Sequence, residues 1–126
     1  MKRAYVMVVD DEAPARERLT RLLRSAGYVV CPTSNGDEAV EMLHAAGRLP
    51  DLILVCGEAA KTKSAFYTTL MRSPALSRIS YLAIASRFDD VRASSFEVHG
   101  LLQLIDRLAG PPPVFSTTLE RRAVRV

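Results

Sequence analysis

Apolar and polar positions alternate along the chain in blocks, and the blocks predict strands and helices in turn. Ala4-Tyr5-Val6-Met7-Val8-Val9 is a short, nearly unbroken apolar run rich in β-branched residues, the pattern of a strand buried on both faces. It stops at Asp10, Asp11 and Glu12. From Ala13 to Arg24, leucines at 19, 22 and 23 recur at helical spacing among arginines, and Gly27 is a stop signal. Tyr28-Val29-Val30-Cys31 reads as a second strand closed by Pro32. Asn35-Gly36-Asp37 then opens a helix whose Ala39, Val40, Leu43 and Ala46 share a face, and Gly47 ends it.

Pro50-Asp51 leads into a third buried strand, Leu52-Ile53-Leu54-Val55-Cys56, broken by Gly57. A third helix is expected from about Lys63 to Arg72, before Pro74, and a fourth strand over Ile79 to Ala85. Phe96 to Leu108 reads as a last helix with Leu101, Leu104, Ile105 and Leu108 inward. Strands alternating with helices of this length imply βαβ units, hence a doubly wound α/β fold on a parallel sheet.

The chain has 126 residues, enough for one domain with a single core and too few for two. The organisation expected is one domain over residues 1–110 and a proline-led linker or flexible tail over 111–126, which opens with Pro111-Pro112-Pro113 and lacks periodicity. The net charge of +3 owes much to Arg121, Arg122 and Arg125 in that tail, so it is weak evidence for nucleic acid, and no nucleic-acid contact by this domain is expected. Two cysteines, Cys31 and Cys56, without an export signal favour a reducing cytoplasm over a disulfide framework. The first apolar run is too short and too quickly acidic for a signal peptide or a membrane span.

Val8-Val9-Asp10-Asp11-Glu12, the arginine- and leucine-rich helix after it and Gly27-Tyr28-Val29-Val30 resemble the opening of bacterial response-regulator receiver domains. Asn35-Gly36 with Ala39 and Leu43 resembles the family's second helix, Pro50 to Val55 its third strand, and Phe96 to Leu108 its closing helix. The resemblance covers most of residues 5 to 108 and implies a flavodoxin-like fold acting in two-component signalling. In that family two acidic residues hold Mg²⁺, an aspartate ending the third strand takes a phosphoryl group, a Thr or Ser ends the fourth and a lysine the fifth. The chemistry needs oxygen ligands for a hard cation, an oxygen nucleophile of low basicity, and positive charge around the transferring group.

Position by position, Asp10 and Asp11 match the metal-holding pair, but the acceptor position holds Cys56. A thiol cannot provide acyl-phosphate chemistry and is a poor ligand for Mg²⁺. The family's Met-Pro is Ala59-Ala60 here and its Asp-Gly is Lys63-Ser64. The switch position on strand four falls on Ala85, with Ser86 adjacent, and the lysine slot aligns with Ser94-Ser95. About ten residues separate Ala85 from Phe96, too few for the family's fourth helix and fifth strand, so the fold is expected to be truncated there. That would leave strand four at an edge, and a homodimer through the edge of strand 79–85 or through the last helix is expected.

The reading that follows is a degenerate, non-enzymatic receiver acting by protein contact with a histidine kinase or an effector, with no cofactor and at most a weak or vestigial Mg²⁺ pair at Asp10 and Asp11. Two alternatives stay open: phosphorylation at Asp10 or Asp11 by a histidine kinase, and a thiol redox switch at Cys56. Asp10 and Asp11 can equally serve helix one, since negative charge favours a helix N-terminus. Lys61 and Lys63 can meet an anion or simply be solvated, while His44 and His99 are too scattered for a metal cluster.

Overall fold

A computed structural model describes residues 4–45, 47–57, 65–84 and 95–109. In chain order these residues form β1 (Tyr5–Val9), α1 (Ala13–Ser25), β2 (Val29–Thr33), α2 (Gly36–Ala45), β3 (Leu52–Cys56), α3 (Ala65–Arg72), a 3-10 turn (Leu76–Arg78), β4 (Ser80–Ile84) and α4 (Ser95–Ala109). All pairings are parallel and the order across the sheet is β2-β1-β3-β4. This is the doubly wound arrangement expected from the alternation of strand and helix patterns.

Side chains of the two central strands alternate between two apolar layers. Val6, Val8, Leu52, Leu54 and Cys56 pack with Leu19 and Leu23 of α1 and Leu101 and Ile105 of α4. Met7, Val9, Ile53 and Val55 pack on the opposite face with Leu43 of α2 and Phe66 and Leu70 of α3. Burial on both faces is why β1 and β3 read as continuous apolar runs.

Local chemistry sets the ends of the elements. Helix α1 closes in a Schellman motif: Gly27 N–H donates to the Arg24 carbonyl (3.0 Å) and Tyr28 N–H to the Leu23 carbonyl (3.1 Å), with Gly27 at φ 100°. At the start of α2, Asn35 Oδ1 accepts from Glu38 N–H (2.8 Å) while Glu38 Oε1 accepts from Ser34 N–H (2.6 Å), a variant of the capping box. A Cβ on Gly36 would stand 2.7 Å from Phe66 Cβ, so a glycine there lets α2 and α3 approach. At the amino end of the sheet, Asp51 Oδ2 accepts from Tyr5 N–H (2.8 Å), Asp51 N–H donates to the Tyr5 carbonyl (2.8 Å), and Arg48 pairs with the same carboxylate at 3.1 Å.

Three expectations are corrected. Pro32 does not close β2, which runs through it to Thr33: β2 is an edge strand, where a residue without N–H costs no ladder bond. Leu104 and Leu108 are not inward but 37% exposed, whereas Leu101 and Ile105 are buried. The fourth strand begins at Ser80, after the 3-10 turn, and its end at Ala85 lies outside the described residues. The expected truncation falls on residues 85–94, which lie outside the described residues; among the described residues β4 is an outer strand. Ala46, the start of the third helix at Lys63 and the tail 111–126 lie outside the described residues. Among the described residues no helix is long and apolar enough to cross a membrane.

Candidate functional site

The chain runs from β1 out to β2 on one side and then crosses to β3 on the other, so strand order reverses between β1 and β3. The carboxyl ends of strands at such a reversal are where open α/β sheets place ligands. Asp10 follows β1 directly, and the pairing of Val9 with Val55 sets Cys56 at the corresponding level of β3. Cys56 in turn is aligned with Ile84 of β4. The structure therefore brings Asp10 and Cys56 together at the place where the sequence puts the site.

Asp10 is fully buried. Its N–H donates to the Thr33 carbonyl (3.1 Å), its Oδ1 accepts from Glu12 N–H (3.0 Å), and its carbonyl accepts from the Arg16 guanidinium (2.9 Å). Thr33 Oγ1 reaches across to the Val8 carbonyl at 2.8 Å and ties the end of β2 to β1. Glu12 is the N-cap of α1 but makes no side-chain cap bond, and Pro14 stands in the first turn. The turn from strand to helix is thus organised in part by Asp10, a structural role in line with the helix-terminus reading. Asp11, its neighbour, is exposed.

Cys56 is fully buried and belongs to the layer formed with Leu54, Leu101 and Ile105. Burial first, and the negative charge of Asp10 second, push its thiol up to about 12. Near pH 7 the thiol is thereby held protonated, away from the thiolate form that attacks and ligates. Rather than facing an open site, the thiol faces the core. It lacks the exposure and thiolate character that a redox switch needs.

Among the described residues no group of three or more His, Cys, Asp or Glu side chains is placed to hold a metal ion. One buried and one exposed carboxylate beside a protonated thiol is a poor donor set for Mg²⁺, which demands oxygen ligands in near-octahedral array. Ala85, Ser86, Ala59, Ala60, Lys61, Lys63, Ser64 and Ser94 lie outside the described residues, and His44 is exposed in the last turn of α2.

Some contributors were not singled out from the sequence. Asp51 read only as part of a connector, yet it fastens β1 to the segment before β3; an acid immediately ahead of a buried strand is the available signal. Asp106 on α4 lies beside Tyr28, and burial followed by that carboxylate pushes the phenol up to about 12. A cleft of about 330 Å³ runs between α1 and the outer side of β2, lined by Arg16, Glu17, Thr20, Arg21, Arg24 and Pro32. Its lining carries three guanidinium groups and one carboxylate.

No family model matches the sequence. No curated protein matches it either. Solved structures do match. A response regulator receiver protein from Pseudomonas putida is 27% identical, with 80% of this chain and 81% of that chain covered, at a TM-score of 0.58. A response regulator from Desulfuromonas acetoxidans is 23% identical over 97% of this chain and 94% of that chain, at a TM-score of 0.53, a likeness of fold. With the order β2-β1-β3-β4 and helices in layers on both faces, the chain has the flavodoxin-like fold of response regulator receivers.

Proposed function

We propose that this chain is a receiver-like module of two-component signalling that acts through protein contact and is not phosphorylated at residue 56. The likeness to a response regulator receiver protein supports the signalling role. The observation that carries the mechanism is the state of Cys56: it ends β3 beside Asp10, is fully buried, and its thiol is pushed up to about 12. Phosphoryl transfer needs a positioned nucleophile with its charge neutralised by cations, and a protonated thiol within an apolar layer supplies neither. The module then has no catalysis of its own and no resident cofactor, and its partner is a histidine kinase or an effector protein.

The test is intact mass after incubation with acetyl phosphate and Mg²⁺, for the wild type and for Cys56→Asp side by side. An unmodified wild type is the expected result, and labelling of the variant alone would assign the loss to residue 56. A wild type that gains a phosphoryl group overturns the proposal. In that event Asp11 is tested first by substitution, because it is exposed whereas Asp10 is buried.

A further inference from the structure

We propose that the cleft between α1 and the outer side of β2 binds a small phosphate ester, its phosphoryl group gripped by Arg16, Arg21 and Arg24 and one of its hydroxyls accepted by Glu17. A volume of about 330 Å³ is that of a small-molecule site. Both walls belong to the stretch 4–45, all of which is described.

Helical spacing assembles the lining. Arg16, Thr20 and Arg24 follow one another at intervals of four residues, and Glu17 and Arg21 form the adjacent row, so all of them share the flank of α1 that borders β2. Thr20 is buried, and its Oγ1 donates back to the Arg16 carbonyl at 2.7 Å, which leaves recognition to the charged groups. Two of these are held in place by the backbone. The Arg16 guanidinium donates to the Asp10 carbonyl (2.9 Å) and that of Arg24 to the Val30 carbonyl (3.3 Å), each through one nitrogen. A guanidinium has several N–H donors, so both keep most of theirs for a ligand while their positions are already fixed. Arg21 is exposed, and among the described residues the ion pair that its spacing from Glu17 allows is not formed.

The backbone edge of β2 is a poor competitor for the cleft. Val29 N–H and the Thr33 carbonyl bond toward β1, so the alternation of the strand turns the backbone groups of Val30 and Pro32 outward. The Val30 carbonyl is taken by Arg24, and Pro32 has no N–H to give. An added strand finds no ladder there, and selection falls to charge. Three guanidinium groups against one carboxylate leave two positive charges in excess. A phosphate monoester carries about −1.5 to −2 near neutral pH and matches that excess. Planar guanidinium forks also take phosphoryl oxygens two at a time. Inorganic phosphate meets only repulsion from Glu17, whereas an ester that carries hydroxyl groups brings that carboxylate a donor.

The test is a heteronuclear NMR titration of the 126-residue chain with inorganic phosphate, with glycerol phosphate and with citrate, each at ionic strength held constant with sodium chloride. No metal or phosphodonor is added, so the outcome is independent of the fate of residue 56. Saturable shifts confined to α1 and β2 are expected, with glycerol phosphate bound about 10-fold more tightly than inorganic phosphate. Arg21→Gln should weaken both about 10-fold. Glu17→Ala should tighten inorganic phosphate and erase the preference for the ester. Both positions are exposed, and among the described residues neither side chain makes a hydrogen bond or an ion pair. The spectra themselves report folding; should Arg21→Gln not fold, Arg24→Gln decides in its place with the same expected loss. Absence of saturable shifts, or shifts that survive the arginine substitution, overturns the site. An ester bound no better than inorganic phosphate, or citrate bound as tightly as the ester, overturns the assignment of its ligand.

Discussion

Replacing Cys56 by aspartate restores a carboxylate at the end of β3, and the structure says what that costs. The side chain at this position is fully sheltered from solvent among Leu54, Leu101 and Ile105, with Asp10 close enough to act on its charge. The same surroundings lift the thiol from 9.0 to about 12. Both causes, desolvation and a neighbouring carboxylate, act in the same direction on an introduced acid. A shift of similar size would raise the new carboxyl from about 3.9 toward 7 and correspond to ~4 kcal/mol between its protonated and ionised forms.

An acid whose folded-state pKa lies above its unfolded value holds more protons in the native state. The variant should therefore keep most of its stability near pH 4, lose it progressively as pH rises through about 7, and level off above that. Because domains of this size have only ~5–15 kcal/mol in hand, a loss of ~4 at pH 8 is large. Urea unfolding of both proteins across pH 4 to 8, followed by far-ultraviolet circular dichroism, measures it. Parallel stability profiles for wild type and variant would refute the placement of residue 56 in a desolvated layer beside Asp10.

Gly36→Ala should destabilise by ~1–3 kcal/mol in the same urea assay, because its Cβ would stand 2.7 Å from Phe66 Cβ, and the double substitution with Phe66→Ala should cost less than the sum of the two single losses, since truncating the ring removes the contacts at 3.1 and 3.3 Å. Asp51→Ala removes the acceptor of Tyr5 N–H and the partner of Arg48, and should cost ~1–2 kcal/mol, read as a lower urea midpoint with an unchanged slope. Thiol titration with a maleimide in native buffer should modify Cys31, which is half-buried, well before Cys56, which should react only on unfolding; equal rates would contradict the burial of Cys56.

The central strands were legible because burial on both faces leaves a continuous apolar run, and Gly27 and Asn35-Gly36 mark helix ends through local chemistry that tertiary packing leaves alone. The errors share a different origin. Pro32 looks like a strand terminator by local rules, and only the place of β2 at the sheet edge makes it tolerable inside the strand. The stripe of Leu101, Leu104, Ile105 and Leu108 predicts one buried face, but it is wider than the surface that α4 buries, and Leu104 and Leu108 on its flank are left partly exposed. At the site, the place of Cys56 in the chain was readable from the strand pattern before it. Its direction was not, since an all-apolar strand has no alternation to tell one face from the other. Asp51 was missed because its contacts are to backbone groups 46 residues away, and no local pattern encodes them.

The absorption of Cys56 into the apolar layer has a consequence for how motion is distributed through the domain. Functional loops are usually drawn from the segments that open most easily, and a hydrated polar pocket at a strand end is such a segment. Here the end of β3 is sealed by Leu101 and Ile105, so its amides should belong to the slowest-exchanging unit, opening only when the domain unfolds globally. A protein partner of the kind proposed above would then meet this end of the sheet already in its final shape.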